Sequence, residues 1–125
     1  MGKIILDVND VCKSYNYGTN NLEVLKNFTL QLDKKEIVTI SGQSGCGKST
    51  ALNIMGTLDK QDSGTISFEG TDINKLDENS LANFRNTKIG FVFQFHHLLP
   101  ELTALENASI PLWIKGAPFL KNLFN

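Results

Sequence analysis

Apolar positions follow two rhythms along this chain. Residues 3–8 alternate loosely, which predicts a strand, and Val11-Cys12-Lys13-Ser14-Tyr15 predicts a second short strand or strand end. Leu22, Val24, Phe28, Leu30 and Leu32 share even spacing, so one face of that segment is expected to be buried. Asn16 to Asn21 between them holds Gly18, Thr19 and asparagines, which is turn chemistry. The opening is therefore expected to be antiparallel β-sheet. Asp33-Lys34-Lys35-Glu36 is a polar turn, and the rhythm then changes. Ile37-Val38-Thr39-Ile40 predicts a buried strand, and Ala51, Leu52, Met55 and Leu58 recur at helical spacing after it. Asp59 to Gly64 predicts a turn, and Thr65-Ile66-Ser67-Phe68-Glu69-Gly70 a strand. Asp77 is placed to cap a helix running through Leu81 and Phe84. Ile89-Gly90-Phe91-Val92-Phe93 predicts a second buried strand. Thr103-Ala104-Leu105-Glu106 fits a capping box, so a helix starts there, and Pro111 is expected to kink or end it.

The candidate chemistry lies between the first buried strand and its helix. Gly42-Gln43-Ser44-Gly45-Cys46-Gly47-Lys48-Ser49 fits G-x-x-x-x-G-K-[ST], the phosphate-binding loop, and Thr50 follows. Strand, glycine-rich loop and helix is the setting the motif needs. Gly42, Gly45 and Gly47 let the backbone approach a ligand closely. Amides of the loop and the helix start then point at an anion, helped by the helix dipole. Lys48 supplies a point charge for the β- and γ-phosphates. The Ser49 hydroxyl is placed to ligate Mg²⁺, and Thr50 to reach the α-phosphate. The expected ligand is a nucleoside triphosphate with Mg²⁺.

Size and charge narrow this further. The 125 residues make at most one ordinary domain, and 41% hydrophobic and 20% charged content suits a soluble globular protein. A net charge of −1 and a pI near 6.1 give no sign of general nucleic-acid binding. No apolar run approaches a membrane span. The start of the chain becomes charged too early for a signal peptide, so a cytoplasmic location is expected. Cys12 and Cys46 are too few for a disulfide or metal framework. Cys46 either gains acidity from the converging loop amides or simply fills the loop.

Gln94 gives the loop a companion. It ends the run Ile89-Gly90-Phe91-Val92-Phe93 and opens Phe95-His96-His97-Leu98-Leu99-Pro100-Glu101-Leu102-Thr103-Ala104-Leu105-Glu106-Asn107. With Thr57-Leu58-Asp59-Lys60-Gln61-Asp62-Ser63-Gly64 after the first helix, these residues resemble the ATP-binding subunits of ABC transporters. Within that family they are similar to the LolD branch of lipoprotein-releasing LolCDE complexes, and more loosely to MacB-type proteins. The resemblance covers residues 3 to about 115.

It implies an α/β fold, a P-loop NTPase (ABC ATPase) core, truncated, with an N-terminal antiparallel β subdomain. Residues 1–95 would form a partial nucleotide-binding domain, and 96–125 the Q-loop and the start of a helical subdomain. By resemblance Tyr15 is the aromatic that stacks on adenine, with Tyr17 as fallback. Gln94 contacts Mg²⁺ or the attacking water and reports nucleotide state to membrane subunits. His96 and His97 belong to the surface that meets those subunits, and Leu98, Leu99 and Pro100 help form the docking groove. Adjacent histidines point different ways and no partner stands at ligand spacing, which argues against a metal site. The implied cofactors are ATP and Mg²⁺. The implied partners are LolC/LolE-like transmembrane subunits and a second ATP-binding subunit, at the cytoplasmic face of a bacterial inner membrane.

Hydrolysis in the family also needs a signature motif, a Walker B Asp-Glu and a switch histidine, all beyond the Q-loop. None follows here, and the only histidines are His96 and His97. Asp77-Glu78 is not a Walker B, because Asn74 and Lys75 break the apolar run such a strand needs. The 125 residues alone are therefore expected to be deficient in hydrolysis. The apolar tail Ala117-Pro118-Phe119-Leu120-Lys121-Asn122-Leu123-Phe124-Asn125 departs from the family's charged helix, as a frameshift, premature stop or fragmentary product would. A non-catalytic nucleotide- or partner-binding remnant is the alternative. Small kinases lack the Q-loop stretch, and SMC-type ATPases need coiled coils that this chain does not have.

Overall fold

The computed structural model describes residues 3–116. They fall into two compact units that divide between residues 77 and 78. This division follows packing, whereas the one expected at 95 follows motifs.

The first unit is built on an antiparallel sheet. Strands β1 (Ile4–Tyr17), β2 (Asn20–Asp33), β3 (Ser63–Phe68) and β4 (Thr71–Asp72) lie in the order β2-β1-β3-β4. All neighbours pair antiparallel. Gly18 and Thr19 make the β1–β2 turn that their residue types suggested. The two short strands expected before it are one strand, because β1 carries a bulge. Between Val8 and Val11 it advances one residue further than β2, and between Asn9 and Cys12 one further than β3. Asp10 takes the extra position with φ 49°, and its amide donates to Thr29 Oγ1 at 3.1 Å. The bulge broke the alternation that sequence periodicity relies on.

Helix α1 (Lys48–Met55) supplies the other side of a small core. Val8, Val11, Leu25 and Ile66 from the sheet are buried, as are Ala51 and Ile54 from the helix and Ile73 from a one-turn 3₁₀ helix at Ile73–Lys75. Each large apolar side chain fully buried here contributes about 1.5–3 kcal/mol.

Neither of the two buried strands expected from the sequence has formed. Residues 36–40 and 89–93 have no strand pairing. Ile37 is 93% exposed and Val92 fully exposed. An apolar run becomes a strand only beside a hydrogen-bonding neighbour, and none is present among the described residues.

The second unit holds α2 (Glu78–Lys88) and α3 (Ala104–Ile114). The capping box of α3 is present: Thr103 Oγ1 accepts from the Glu106 amide at 3.3 Å, and Glu106 Oε2 accepts from the Thr103 amide at 2.7 Å. Pro111 does not end α3, which continues to Ile114. The Pro111 carbonyl accepts from Asn86 Nδ2 of α2 at 3.0 Å and from the Lys115 amide at 3.2 Å, so the turn around the proline is held from outside as well as within.

Candidate functional site

The glycine-rich loop ends where α1 begins, and Gly47 sets the junction. It has φ 92° and ψ 7°, a left-handed conformation that costs other residues strain. A Cβ there would meet Val24 O of β2 at 2.9 Å and the Val24 and Leu25 side chains at 3.0 Å. The glycine thus lets the helix start press directly on the sheet. No side chain caps α1, and its first turn holds no acidic residue. The first amides of a helix have no intrahelical acceptor, so this end presents unpaired donors and the positive pole of the dipole.

Lys48, the first residue of α1, folds back over the loop. Its Nζ donates to Gly42 O at 2.9 Å and Gln43 O at 2.6 Å, and lies 3.7 Å from Cys46 Sγ. Among the described residues no carboxylate pairs with it. A cation held only by carbonyls and a thiol, beside an uncapped helix start, is a cradle for an anion. Ser44, Gly45 and Ser49 are exposed and Thr50 half-buried. The loop, its lysine and its hydroxyls thus fit a phosphate chain.

Tyr15 lies half-buried near the end of β1, while Tyr17 is 67% exposed at the hairpin. The Tyr15 hydroxyl donates to Asp59 Oδ2 at 2.6 Å. Asp59 Oδ1 accepts from Lys13 Nζ at 3.0 Å and from the Lys60 amide at 2.7 Å. Lys13 is buried, only 9% exposed, and donates also to Lys60 O. Its Nζ lies 5.1 Å from the Tyr15 ring centroid, within cation–π range. The hydrogen bond to Asp59, with burial, raises the Tyr15 phenol above its usual pKa, against the pull of the adjacent Thr50 hydroxyl. Burial opposes charge on Asp59, but the hydrogen bonds from Tyr15, Lys13 and Lys60 outweigh it and hold the carboxyl below the usual range.

Tyr15 and the loop from Gly42 to Thr50 therefore share the first unit. Gln94 belongs to the second, exposed in a bend after Phe93. Phe91 and Phe93 stack at 5.3 Å, and His97 meets Phe93 edge-on at 4.9 Å. Phe95, Leu98 and Leu99 are exposed. Asn107 pins the segment that follows, accepting from the Leu99 amide at 2.8 Å and donating to Leu99 O, Leu102 O and Thr103 O at 3.0–3.1 Å. Sequence reasoning missed Lys13 and Asp59. A lysine in an alternating strand reads as solvent-facing, and an aspartate in a turn reads as turn chemistry.

Comparison with known proteins puts this geometry in context. A family model described as ABC transporter matches residues 25–123. The lipoprotein-releasing system ATP-binding protein LolD of Geobacter metallireducens is 52% identical over 112 residues, 90% of this chain and 50% of that protein. The protein of the same name in Bacteroides thetaiotaomicron is 56% identical over 96 residues, 77% of this chain and 44% of that one. A dimeric structure of MJ0796, a bacterial ABC transporter cassette, superposes with a TM-score of 0.84 at 44% identity, covering 89% of this chain and 48% of the cassette. A dimeric post-hydrolysis state of that cassette bound to ADP and Pi matches with the same TM-score of 0.84. The chain spans about half the length of the curated relatives it matches.

Proposed function

This chain belongs to the ABC transporter family, and from that membership we propose that it is the nucleotide-contacting part of a transporter's ATP-binding subunit. The observation that carries the reading is the cradle itself: an uncapped, acid-free helix start with the Lys48 ammonium folded over the loop and, among the described residues, no carboxylate paired with it. The loop amides and Lys48 would hold the phosphates, Ser49 would ligate Mg²⁺, and Thr50 would bond near the α-phosphate. Tyr15 would stack on adenine, and Gln94 is assigned by family resemblance alone to contact with Mg²⁺ or the attacking water. When bound, Mg²⁺ offsets charge on the β- and γ-oxygens.

The wider role rests on the relatives. Those named for a lipoprotein-releasing system favour lipoprotein release, with LolC/LolE-like transmembrane subunits as partners. The dimeric cassettes favour a second ATP-binding subunit across the nucleotide. Among the described residues no helix is long and apolar enough to cross a membrane. The relatives' naming favours a peripheral subunit on the cytoplasmic face. The 125 residues alone bind without sustained turnover, because they hold no signature motif and no histidine beyond His97.

Calorimetric titration of the chain with MgATP tests the reading. Saturable binding is expected, with Lys48→Ala losing at least about tenfold in affinity, since a charge-assisted hydrogen bond is worth about 1.5–3 kcal/mol. Equal affinity in the variant would remove the site assignment.

A further inference from the structure

The Lys13–Asp59–Tyr15 cluster lies outside the Gly42–Thr50 loop and is densely bonded. Asp59 uses both carboxylate oxygens, one for the Tyr15 hydroxyl and the other for Lys13 and the Lys60 amide. Lys13 divides its ammonium between Asp59, Lys60 O and the face of the Tyr15 ring, with Asp62 at 4.0 Å. The turn that carries Asp59 is itself sewn to β1. The Ser14 amide donates to Asp62 Oδ2 at 2.6 Å, and the Asp62 amide donates to Cys12 O at 3.0 Å.

A part-buried lysine–carboxylate pair such as Lys13–Asp59 adds little net stability, because desolvation offsets much of its attraction. What it does supply is one fixed geometry. Here the fixed object is an aromatic ring. The turn that fixes it follows directly from α1, through the Leu58 and Asp59 amides on Asn53 O at 2.8 and 3.3 Å. The same helix starts at the phosphate loop. One short helix therefore carries the cradle at its N-terminal end and the ring's anchor just past its C-terminal end.

We propose that Asp59 and Lys13 are positioning residues that fix the pose of the Tyr15 ring, and so set how tightly the base of a nucleoside triphosphate is held, without touching its phosphates. The proposal rests on the nucleotide-binding reading above. An unanchored tyrosine near a hairpin end must lose side-chain freedom when a base stacks on it, whereas an anchored one has already done so. Asp59 and Lys13 thereby act on base affinity through Tyr15 alone.

The test compares MgATP with magnesium tripolyphosphate, which has no base, on the full chain. The variants are Asp59→Asn, Tyr15→Phe, the two combined, and Lys48→Ala. Asp59→Asn and Tyr15→Phe should each weaken MgATP about three- to tenfold, leave tripolyphosphate within about twofold, and show no further loss together. Lys48→Ala should weaken both ligands. Tyr15→Phe keeps the Lys13–Asp59 pair in place, so it reports on the anchor even where Asp59→Asn does not fold. Unchanged MgATP affinity in Tyr15→Phe overturns the proposal, and so does an equal loss for both ligands. If the unaltered chain binds neither ligand, the nucleotide reading falls and this one with it. If the chain binds both and only Lys48→Ala weakens them, the nucleotide reading stands and this inference alone fails.

Discussion

Replacing Gly47 by alanine separates two costs that most glycine substitutions mix. The first is conformational: at φ 92° an L-residue pays roughly 1–2 kcal/mol. The second is steric, because the new methyl would sit 2.9 Å from Val24 O and 3.0 Å from two side-chain carbons of β2. A backbone carbonyl within a sheet cannot step aside cheaply, and overpacking of this kind costs about 1–3 kcal/mol. Gly47→Ala should therefore lose about 2–5 kcal/mol of stability. Gly45→Ala is the control, since Gly45 has φ 80° but nothing within 4 Å of its added Cβ. It should lose only the conformational part, about 1–2 kcal/mol. Urea unfolding followed by the far-ultraviolet circular dichroism of the sheet measures both. Equal losses in the two variants, or a larger loss in Gly45→Ala, would refute the close seating of the loop on β2.

Other elements give tests of their own. Thr103→Ala removes the acceptor for the Glu106 amide and should cost about 1 kcal/mol, read as faster hydrogen exchange in the first turn of α3; unchanged exchange would contradict the capping box. Asn107→Ala should expose the Leu99 amide to exchange, because its Oδ1 is the acceptor there, and retained protection would mean that the segment is held some other way. The Tyr15–Asp59 pair predicts pH dependence at both ends. Asp59 has a lowered pKa when folded, so its contribution is present above the unfolded value near ~3.9 and is lost as pH falls through the folded one. Tyr15 has a raised pKa, so its contribution is present below ~10 and is lost as pH rises through the folded value. Melting temperature against pH should show both limbs, with Asp59→Asn flattening the acid limb. Identical profiles for the two proteins would contradict the pair.

Local signals carried much of the fold. The Gly18-Thr19 turn and the Thr103–Glu106 box each depend on residues close in sequence, and each is present as read. The loop motif is equally local, since eight consecutive residues carry the whole pattern. The strand expected from Leu22 to Leu32 is present, but its evenly spaced face is not the buried one: Leu22 is exposed and the buried residue is Leu25, out of that phase, where the pairing with β1 shifts register. What failed depends on distant partners. Ile37–Ile40 and Ile89–Phe93 have the composition of buried strands, but composition does not supply the neighbouring strand. The continuity of β1 was hidden by Asp10, whose bulge shifts the register against β2 and β3 together. Lys13 and Asp59 lie 46 residues apart, so neither could be read as the other's partner. Pro111 was expected to kink or end α3; the helix does not end there but runs on to Ile114, and the Pro111 carbonyl bonds Asn86 and Lys115.

The central claim is that a nucleoside triphosphate sits in the loop at the start of α1. Amide chemical shifts of the ¹⁵N-labelled chain, recorded while MgATP is added, test it residue by residue. The account predicts that the largest shifts fall on the amides from Gly42 to Thr50, with smaller ones around Tyr15, and that Lys48→Ala removes them. Shifts confined to other residues, or a loop that does not respond at saturating MgATP, would contradict it.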